Sequence, residues 1–273
     1  MKYTVPTSKY IFKNFFYIVP FAILPALFLS ISVAEEELIA VLQAIIKGDF
    51  SAWTFTNLFR AISVLNFGSW ESIVTGIVGL IVMVPCVALL MAFLDKHMRF
   101  GKRTFNGLLS KLNDNFISTL GYIVIFLLIY EVWVLVLSAV LALIALIPNA
   151  VAVYLSASMI FVAMHVALLY AVGAIYLWLP CMQITGFPAV EALQYSHQLL
   201  SHVKWKILLG QIIALLAAEG LICVCVWFLP GFAIFTTCTT VLFAVLLLFY
   251  CVRMMTAYFD RDHIERADLR RYY

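Results

Sequence analysis

Six long, continuously apolar runs constrain the fold of this chain more than any other feature of its sequence. A helix needs about 20 apolar residues to cross the roughly 30 Å hydrocarbon core of a bilayer, and every run reaches that length. The apolar residues do not alternate with polar ones, which excludes a membrane-spanning β-barrel. Since 65% of the 273 residues are apolar and only 11% are charged, a soluble domain is excluded as well.

The predicted fold is all-α, a single integral membrane domain over residues 1–273 with six transmembrane helices. The third and fourth predicted spans exceed the minimum length, so they must tilt or extend into the interface. The spans are expected at about residues 10–34, 71–94, 117–147, 151–179, 205–229 and 232–259.

The distribution of basic residues predicts the orientation of the chain, because Lys and Arg favour the cytoplasmic loops of membrane proteins. With the N-terminus inside, fifteen of the seventeen basic residues lie on the cytoplasmic side, and only Lys47 and Arg60 lie outside. The first outer connection also opens with three glutamates, Glu35, Glu36 and Glu37. Both termini are therefore expected in the cytoplasm.

The connection between the first two spans is predicted to form two helices that lie flat on the outer leaflet. Residues 35–47 and 51–65 both repeat apolar side chains at the spacing of one helical face. Ser51 is a candidate N-cap of the second helix. Trp53 and Trp70 suit the headgroup layer, where indole rings are enriched.

Two amphipathic stretches on the inner side, residues 104–116 and 188–203, are predicted to form elbows, that is, helices on the membrane surface that turn into the next span. For the first stretch, a solvated loop helix is the alternative. Basic residues within and beside the elbows are expected to contact lipid headgroups. These residues are Lys102, Arg103, Lys111, Lys204 and Lys206.

Basic and aromatic lead-ins before alternate spans indicate internal repetition. They lie at residues 9–16, 101–116 and 187–205, and each is followed by an outward and a returning span. The predicted architecture is therefore three hairpin repeats. Because each unit crosses the membrane an even number of times, the repeats are parallel, which disfavours the transporter folds built on inverted repeats.

The second elbow carries the features of a family resemblance. Pro188 is followed by Glu191-Ala192-Leu193, then by Ser196, and a basic-aromatic-basic turn leads into the fifth span. With the shorter elbow upstream, this pattern resembles a group of uncharacterised bacterial six-helix membrane proteins and the membrane domain attached to some glycerophosphodiester phosphodiesterases. The resemblance covers about residues 100–255. It implies a six-helix fold in a bacterial plasma membrane and no activity, since the His-Arg-Gly opening and clustered acidic ligands of the phosphodiesterase domain are absent.

Three ionisable residues inside the spans are the candidate functional residues, because unpaired charges in a bilayer cost several kcal/mol. Glu131, His165 and Glu219 each lie roughly 20–22 Å from the inner edge of the membrane at the helical rise, so they could meet at one level. Together they would relay protons or bind a cationic group. The alternatives are that each is neutral and bonded locally, or that Glu131 lies near the interface.

Other polar residues are given structural interpretations. Arg253 lies near the inner edge of the last span and is predicted to snorkel to the surface as an anchor. His197 and His202 are expected to be solvated on the second elbow. Catalytic motifs and metal-ligand spacings are absent from the sequence, so neither enzymatic activity nor a metal or cofactor is expected.

The function expected from the sequence is that of a non-enzymatic membrane protein in envelope homeostasis, which acts through membrane lipids or other membrane proteins. The alternative is a transporter or permease subunit for a small or lipid-like substrate, with an ATPase subunit as a candidate partner. An intramembrane enzyme ranks last. Nucleic acid is not an expected partner, because the net charge of +3 comes from basic residues at membrane edges.

Overall fold

A computed structural model describes residues 3–66, 68–201, 204–228 and 231–269, and these residues form helices and connections without β-strands. The longer α-helices follow the apolar runs of the sequence. In chain order they are α1 (Thr4–Ile18), α2 (Pro20–Ser32), α3 (Glu35–Lys47), α4 (Phe55–Ile62), α5 (Trp70–Phe100), α6 (Leu108–Ile144), α7 (Ala150–Ala174), the single turn α8 (Trp178–Pro180), α9 (Ala189–Leu200), α10 (Lys204–Phe228) and α11 (Phe232–Arg261).

Five helical segments of the described chain are long and apolar enough to cross a membrane. Four are α5, α6, α10 and α11, and the fifth runs from α7 through α8 to Thr185. The α1–α2 pair meets the same criterion together but is bent by 86° between the two helices. The chain is therefore a helical membrane protein with five or six candidate spans.

The first span predicted over residues 10–34 is bent by 86° between α1 and α2, and the break falls at Pro20. Proline has no backbone N–H and its ring crowds the carbonyl of the residue four positions earlier, which weakens the helix where α1 meets α2. Proline is instead the first residue of the new helix, where a missing N–H carries no cost.

Helix α1 is amphipathic in its own right. Thr7, Tyr10, Asn14 and Ile18 are buried at helical spacing, whereas the opposite face exposes aromatic rings beside lysines. Its most exposed large side chains are Phe12 (83% exposed) and Phe16 (86%). The first lead-in is thus a separate helix that meets the bundle with one face only.

Hydrogen bonds fix α1 across the ends of two long helices. The Tyr10 hydroxyl lies 2.7 Å from Nδ1 of His97 near the end of α5. The Tyr3 hydroxyl donates to the carboxylate of Asp260, 2.7 Å away, near the end of α11. We call this the basic end of the bundle: α5 and α11 finish there, and α6 and α10 begin there.

The separate elbow predicted over residues 104–116 is wrong. Helix α6 runs unbroken for 37 residues from Leu108, after a loop that ends at Gly107 with φ +76°. Between Leu108 and Ile144 the sequence has no proline, and the one glycine, Gly121, is tolerated within the helix. Since nothing stops the helix, the amphipathic stripe and the following span form one continuous rod.

Residues 35–66, here called the cap, cover the opposite end of the bundle, which we call the capped end. Thr54, not Ser51, caps the second cap helix, since its hydroxyl accepts from the backbone N–H of Asn57 at 3.2 Å. Ser51 lies in a 3-10 turn, and its N–H donates to the carboxylate of Asp49 at 3.1 Å. The threonine is placed three residues before its N–H partner, the spacing of an N-cap.

The cap packs against protein as well as facing outward, and the Trp53 ring contacts protein rather than the lipid headgroups expected from the sequence. Its indole is buried, and Nε1 donates to the carbonyl of Val41 at 3.2 Å. Leu58 is buried in the same cluster as Val134 and Leu137 of α6. Apolar side chains at helical spacing can be buried against a neighbouring helix or in lipid, and here some of them pack against α6.

The elbow α9 lies within the predicted range 188–203, of which residues 202 and 203 fall outside the described part of the chain. Helix α7 ends at Ala174, earlier than the predicted span over residues 151–179, although the apolar segment continues through α8 to Thr185. A π-helical turn, Cys181–Thr185, then leads to α9. Helix α9 docks on the end of α11, where Arg261 Nε donates to the carbonyl of Leu199 at 2.9 Å.

Candidate functional site

His165 on α7 and Glu219 on α10 form a direct pair. Nε2 of His165 lies 2.9 Å from Oε1 of Glu219, and Nδ1 lies 2.8 Å from the backbone carbonyl of Phe161. The His165 side chain is only 3% exposed, while 34% of the Glu219 side chain is exposed. The two residues therefore link α7 to α10 through one buried imidazole.

The geometry of this pair fixes the number of protons that it holds. A carbonyl oxygen only accepts hydrogen bonds, so Nδ1 of His165 must carry a proton that it donates to Phe161. The contact between Nε2 and Glu219 then requires one more proton, on either the imidazole or the carboxyl group. The pair consequently stores one shared proton, as an ion pair or as a neutral pair.

Aromatic rings surround the imidazole and hold its plane. The edge of Trp133 on α6 meets it with ring centroids 5.0 Å apart, and Phe161 lies at 4.0 Å. The Trp133 indole N–H donates to the carbonyl of Met164 at 2.7 Å. The second oxygen of Glu219, Oε2, is buried and has no hydrogen-bond partner within the described chain.

Glu131 has a different set of partners, all in the cap. The hydroxyl of Ser63 donates to its Oε2 at 2.8 Å, and the backbone N–H groups of Val64 and Leu65 donate to Oε1 at 3.0 and 3.4 Å. A carboxylate that accepts from three donors has the hydrogen bonds that a buried polar group needs. Glu131 thus fastens the cap to α6.

The depth of Glu131 follows from the same contacts. The carbonyl of Val64 approaches Gly76 of α5. Because Gly76 is six residues into α5, Glu131 lies only about 9 Å from the start of that helix. The structure therefore brings together two of the three candidate residues, His165 and Glu219, and joins Glu131 to the cap.

A partly enclosed cavity of about 220 Å³ lies at the basic end between α5, α6 and the turn before α9. Its polar side chains are those of Asp95, Lys96, Asn106, Lys111, Asn115 and Gln183. Apolar walls come from residues such as Met91, Leu108 and Met255. A wider depression of about 760 Å³ at the capped end has Asp49 as the one titratable side chain in its lining.

The residues predicted to contact lipid headgroups are spread along the basic end. Lys111 lines the cavity. Lys102 and Lys206 are exposed and the guanidinium of exposed Arg103 lies 5.7 Å from the ring of Tyr17. The ammonium group of Lys204 lies 3.7 Å from the ring centre of Tyr170. Each basic side chain thus remains within reach of the surface.

Arg253 is the polar residue whose role sequence reasoning missed. The predicted snorkelling anchor is wrong, because the side chain is fully buried. Its guanidinium packs against Gly210 of α10 rather than reaching the surface. The sequence contained one indication of this packing. Gly210, followed by the polar Gln211, lies in the neighbouring span at about the same depth as Arg253.

Comparison with models of protein families, with curated proteins and with solved structures finds no match to this chain. The family resemblance of the segment around Pro188 stays a prediction. What the candidate site can do follows from its own geometry.

Proposed function

We propose that this chain is a six-span, non-enzymatic membrane protein that acts through lipid contacts at its basic end, with that end and both termini in the cytoplasm. The proposal is supported by the crowding of Lys and Arg at this end, where anionic headgroups attract them. In this arrangement α2 forms the first crossing, and α1 precedes it on the inner surface.

The six crossings group into three hairpins, α2 with α5, α6 with α7, and α10 with α11. Within each hairpin the two helices pack on each other. Helices α1 and α9 serve as the lead-ins of the first and third hairpins, and in the second hairpin the lead-in is continuous with α6. The lead-ins before α2, α6 and α10, rather than the packing, support the parallel repeats predicted from the sequence.

The observation that carries the proposal is the cavity at the basic end, because its lining suits a phosphodiester headgroup. Asp95, which also lines it, is already paired with Arg99 at 2.9 Å. The charges of Lys96 and Lys111 are therefore not cancelled by that carboxylate. Two ammonium groups above apolar walls match a phosphate joined to an acyl chain.

The experiment compares lipid retention by the wild-type protein and the double variant Lys96→Gln/Lys111→Gln. Each protein is incorporated into nanodiscs of phosphatidylglycerol or of phosphatidylcholine and is then purified from them. Native mass spectrometry counts the lipid molecules that stay bound to the protein. The variant should retain fewer phosphatidylglycerol molecules and unchanged phosphatidylcholine. Lys47→Gln, an exposed substitution on the cap, is the matched control. Equal phosphatidylglycerol retention by the double variant and the wild type would refute the proposal.

Proton-coupled transport, by the chain alone or as a permease subunit with an ATPase, is the second candidate function. The shared proton of His165 and Glu219 favours it, since such pairs relay protons in membrane transporters. Vesicles with a trapped pH dye distinguish the two functions. Faster decay of a proton gradient than in protein-free vesicles, abolished by Glu219→Gln, would establish proton movement. Decay equal to that of protein-free vesicles would support action through lipid contacts.

A further inference from the structure

Arg253 carries the least compensated charge in the described part of the chain. It lies on α11, eight residues before the end of the helix, which places it about 12 Å from the basic end. Its side chain is fully buried, and Nε, Nη1 and Nη2 all lack a hydrogen-bond partner within the described chain. Burying a guanidinium in this way costs several kcal/mol unless an opposite charge accompanies it.

Helix α10 packs closely on Arg253, and the missing side chain of Gly210 leaves the space that the guanidinium occupies. An added Cβ at Gly210 would lie 2.3 Å from Nη2, 2.9 Å from Cζ and 3.0 Å from Nη1 of Arg253. Only glycine at this position lets the planar group lie against the helix backbone. On another side, the ring of Phe249 lies 5.8 Å from Cζ.

Two polar side chains lie near Arg253, and each of them can donate a hydrogen bond. The hydroxyl of Tyr176 is within electrostatic range of the guanidinium, and the amide of Gln211 is adjacent to that hydroxyl. Tyr176 Oη and Gln211 Nε2 are both buried and lack a hydrogen-bond partner among the described residues. The carboxylate of Asp260, two turns along α11, is bonded to Tyr3.

We propose that Arg253, Tyr176 and Gln211 form a binding site for a phosphate-type oxyanion. The planar guanidinium matches two oxygens of a phosphate group, and the hydroxyl and amide can donate to the remaining oxygens. Free phosphate and the phosphate of a lipid headgroup share this chemistry, and the basic end, about 12 Å away, is the nearer end of α11. This site is separate from the lysine-lined cavity and does not depend on the proposed function.

The test uses the full-length protein in neutral detergent after removal of lipid. Its apparent unfolding temperature is measured with increasing inorganic phosphate, against sodium chloride at the same ionic strength, and separately with added phosphatidylglycerol. Stabilisation by phosphate identifies the free ion as a ligand, and stabilisation by phosphatidylglycerol alone identifies the headgroup. Absence of both responses in the wild-type protein would overturn the proposal.

Variants assign the response to this site. Gly210→Ala keeps the arginine but displaces its guanidinium, so the apparent Kd of the ligand should rise about tenfold or more. Gly220→Ala, on the same helix with open space at its Cβ, should leave the affinity unchanged. Arg253→Met removes a buried unpaired charge and should fold without responding to ligand.

Two outcomes separate this proposal from others. An unaltered response in Gly210→Ala and Arg253→Met would show that the ligand binds elsewhere. The double variant Lys96→Gln/Lys111→Gln should keep the phosphate response, because Arg253 is unchanged in it. Failure of one proposal therefore does not refute the other.

Discussion

His165 and Glu219 share a single proton between α7 and α10, because the 2.8 Å contact of His165 Nδ1 with a carbonyl leaves only Nε2 to face the carboxyl group at 2.9 Å. The pair therefore has a structural role whichever atom holds the proton. It joins two helices whose exposed faces are largely apolar, with residues such as Val166, Leu216 and Leu221 turned outward. In a bilayer, such a bond contributes about 0.5–2 kcal/mol to helix association.

The first prediction concerns substitutions of Glu219. Glu219→Ala should lower the free energy of unfolding by about 1–2 kcal/mol, since it leaves Nε2 of His165 without its partner. Glu219→Gln should cost less, because its amide can donate to Nε2 while Nδ1 keeps its proton. Thermal unfolding in detergent measures both, with the exposed Ser158→Ala on α7 as control. Equal loss of stability in the Gln and Ala variants would contradict the shared-proton arrangement.

The second prediction is that Glu131 holds the cap in place. Glu131→Ala removes the acceptor for one hydroxyl and two backbone N–H groups and should destabilise the cap by about 2–4 kcal/mol. Trypsin should then cleave at Lys47 and Arg60 faster than in the wild type, while the spans stay protected. Glu36→Ala, an exposed glutamate of α3, is the control. Unchanged cleavage rates in Glu131→Ala would show that the cap is held by its apolar contacts alone.

Hydropathy was sufficient to predict the membrane class and the approximate position of the long helices, because span length is set by bilayer thickness. Pro20 predicts a kink in the first span, but the size of the 86° bend could not be predicted, since a proline within an apolar run can kink a span or separate two helices. The fusion of residues 108–116 with the next span was hidden for a related reason. Amphipathicity indicates which face is apolar, not where a helix stops.

The partners of the charged residues were beyond what the sequence could show. Depth along each helix placed His165 and Glu219 at compatible levels, but their contact depends on the rotation of α7 and α10. Glu131 is bonded to a segment 66 to 68 residues earlier in the chain, which only the tertiary fold brings near. Arg253 has the length to snorkel, yet the packing of Gly210 against it closes that route.

The third prediction tests the packing of α2 on α5. An added Cβ at Gly79 would lie 3.1 Å from Leu29 Cδ2 and from Phe28 Cβ. Gly79→Leu should therefore force the helices apart and lower the free energy of unfolding by about 1–3 kcal/mol. Gly121→Leu on α6, where the added Cβ would meet open space, should change the unfolding temperature much less. Similar shifts for the two variants would show that α2 is not closely packed at this point.

The fourth prediction concerns the docking of the elbow α9, which depends on Asp262 at the end of α11. The Tyr195 hydroxyl donates to this carboxylate, as does that of Tyr258 at 2.8 Å. The hydrogen bond to Asp262 is the main cause that raises the pKa of Tyr195 to about 12. A raised pKa in the folded state means that the bond stabilises the fold fully below the ordinary pKa of 10 and is lost as the pH rises toward about 12.

Tyr195→Phe removes this bond and makes its pH dependence measurable. At pH 8 the variant should unfold at a lower temperature than the wild type, and the difference should shrink to zero as the pH approaches 12. Differential scanning fluorimetry at matched ionic strength gives the two curves. Gln198→Ala, an exposed substitution on the same helix, should show no such convergence. A difference between wild type and Tyr195→Phe that stays constant from pH 8 to 12 would mean that the Tyr195–Asp262 bond does not hold the elbow.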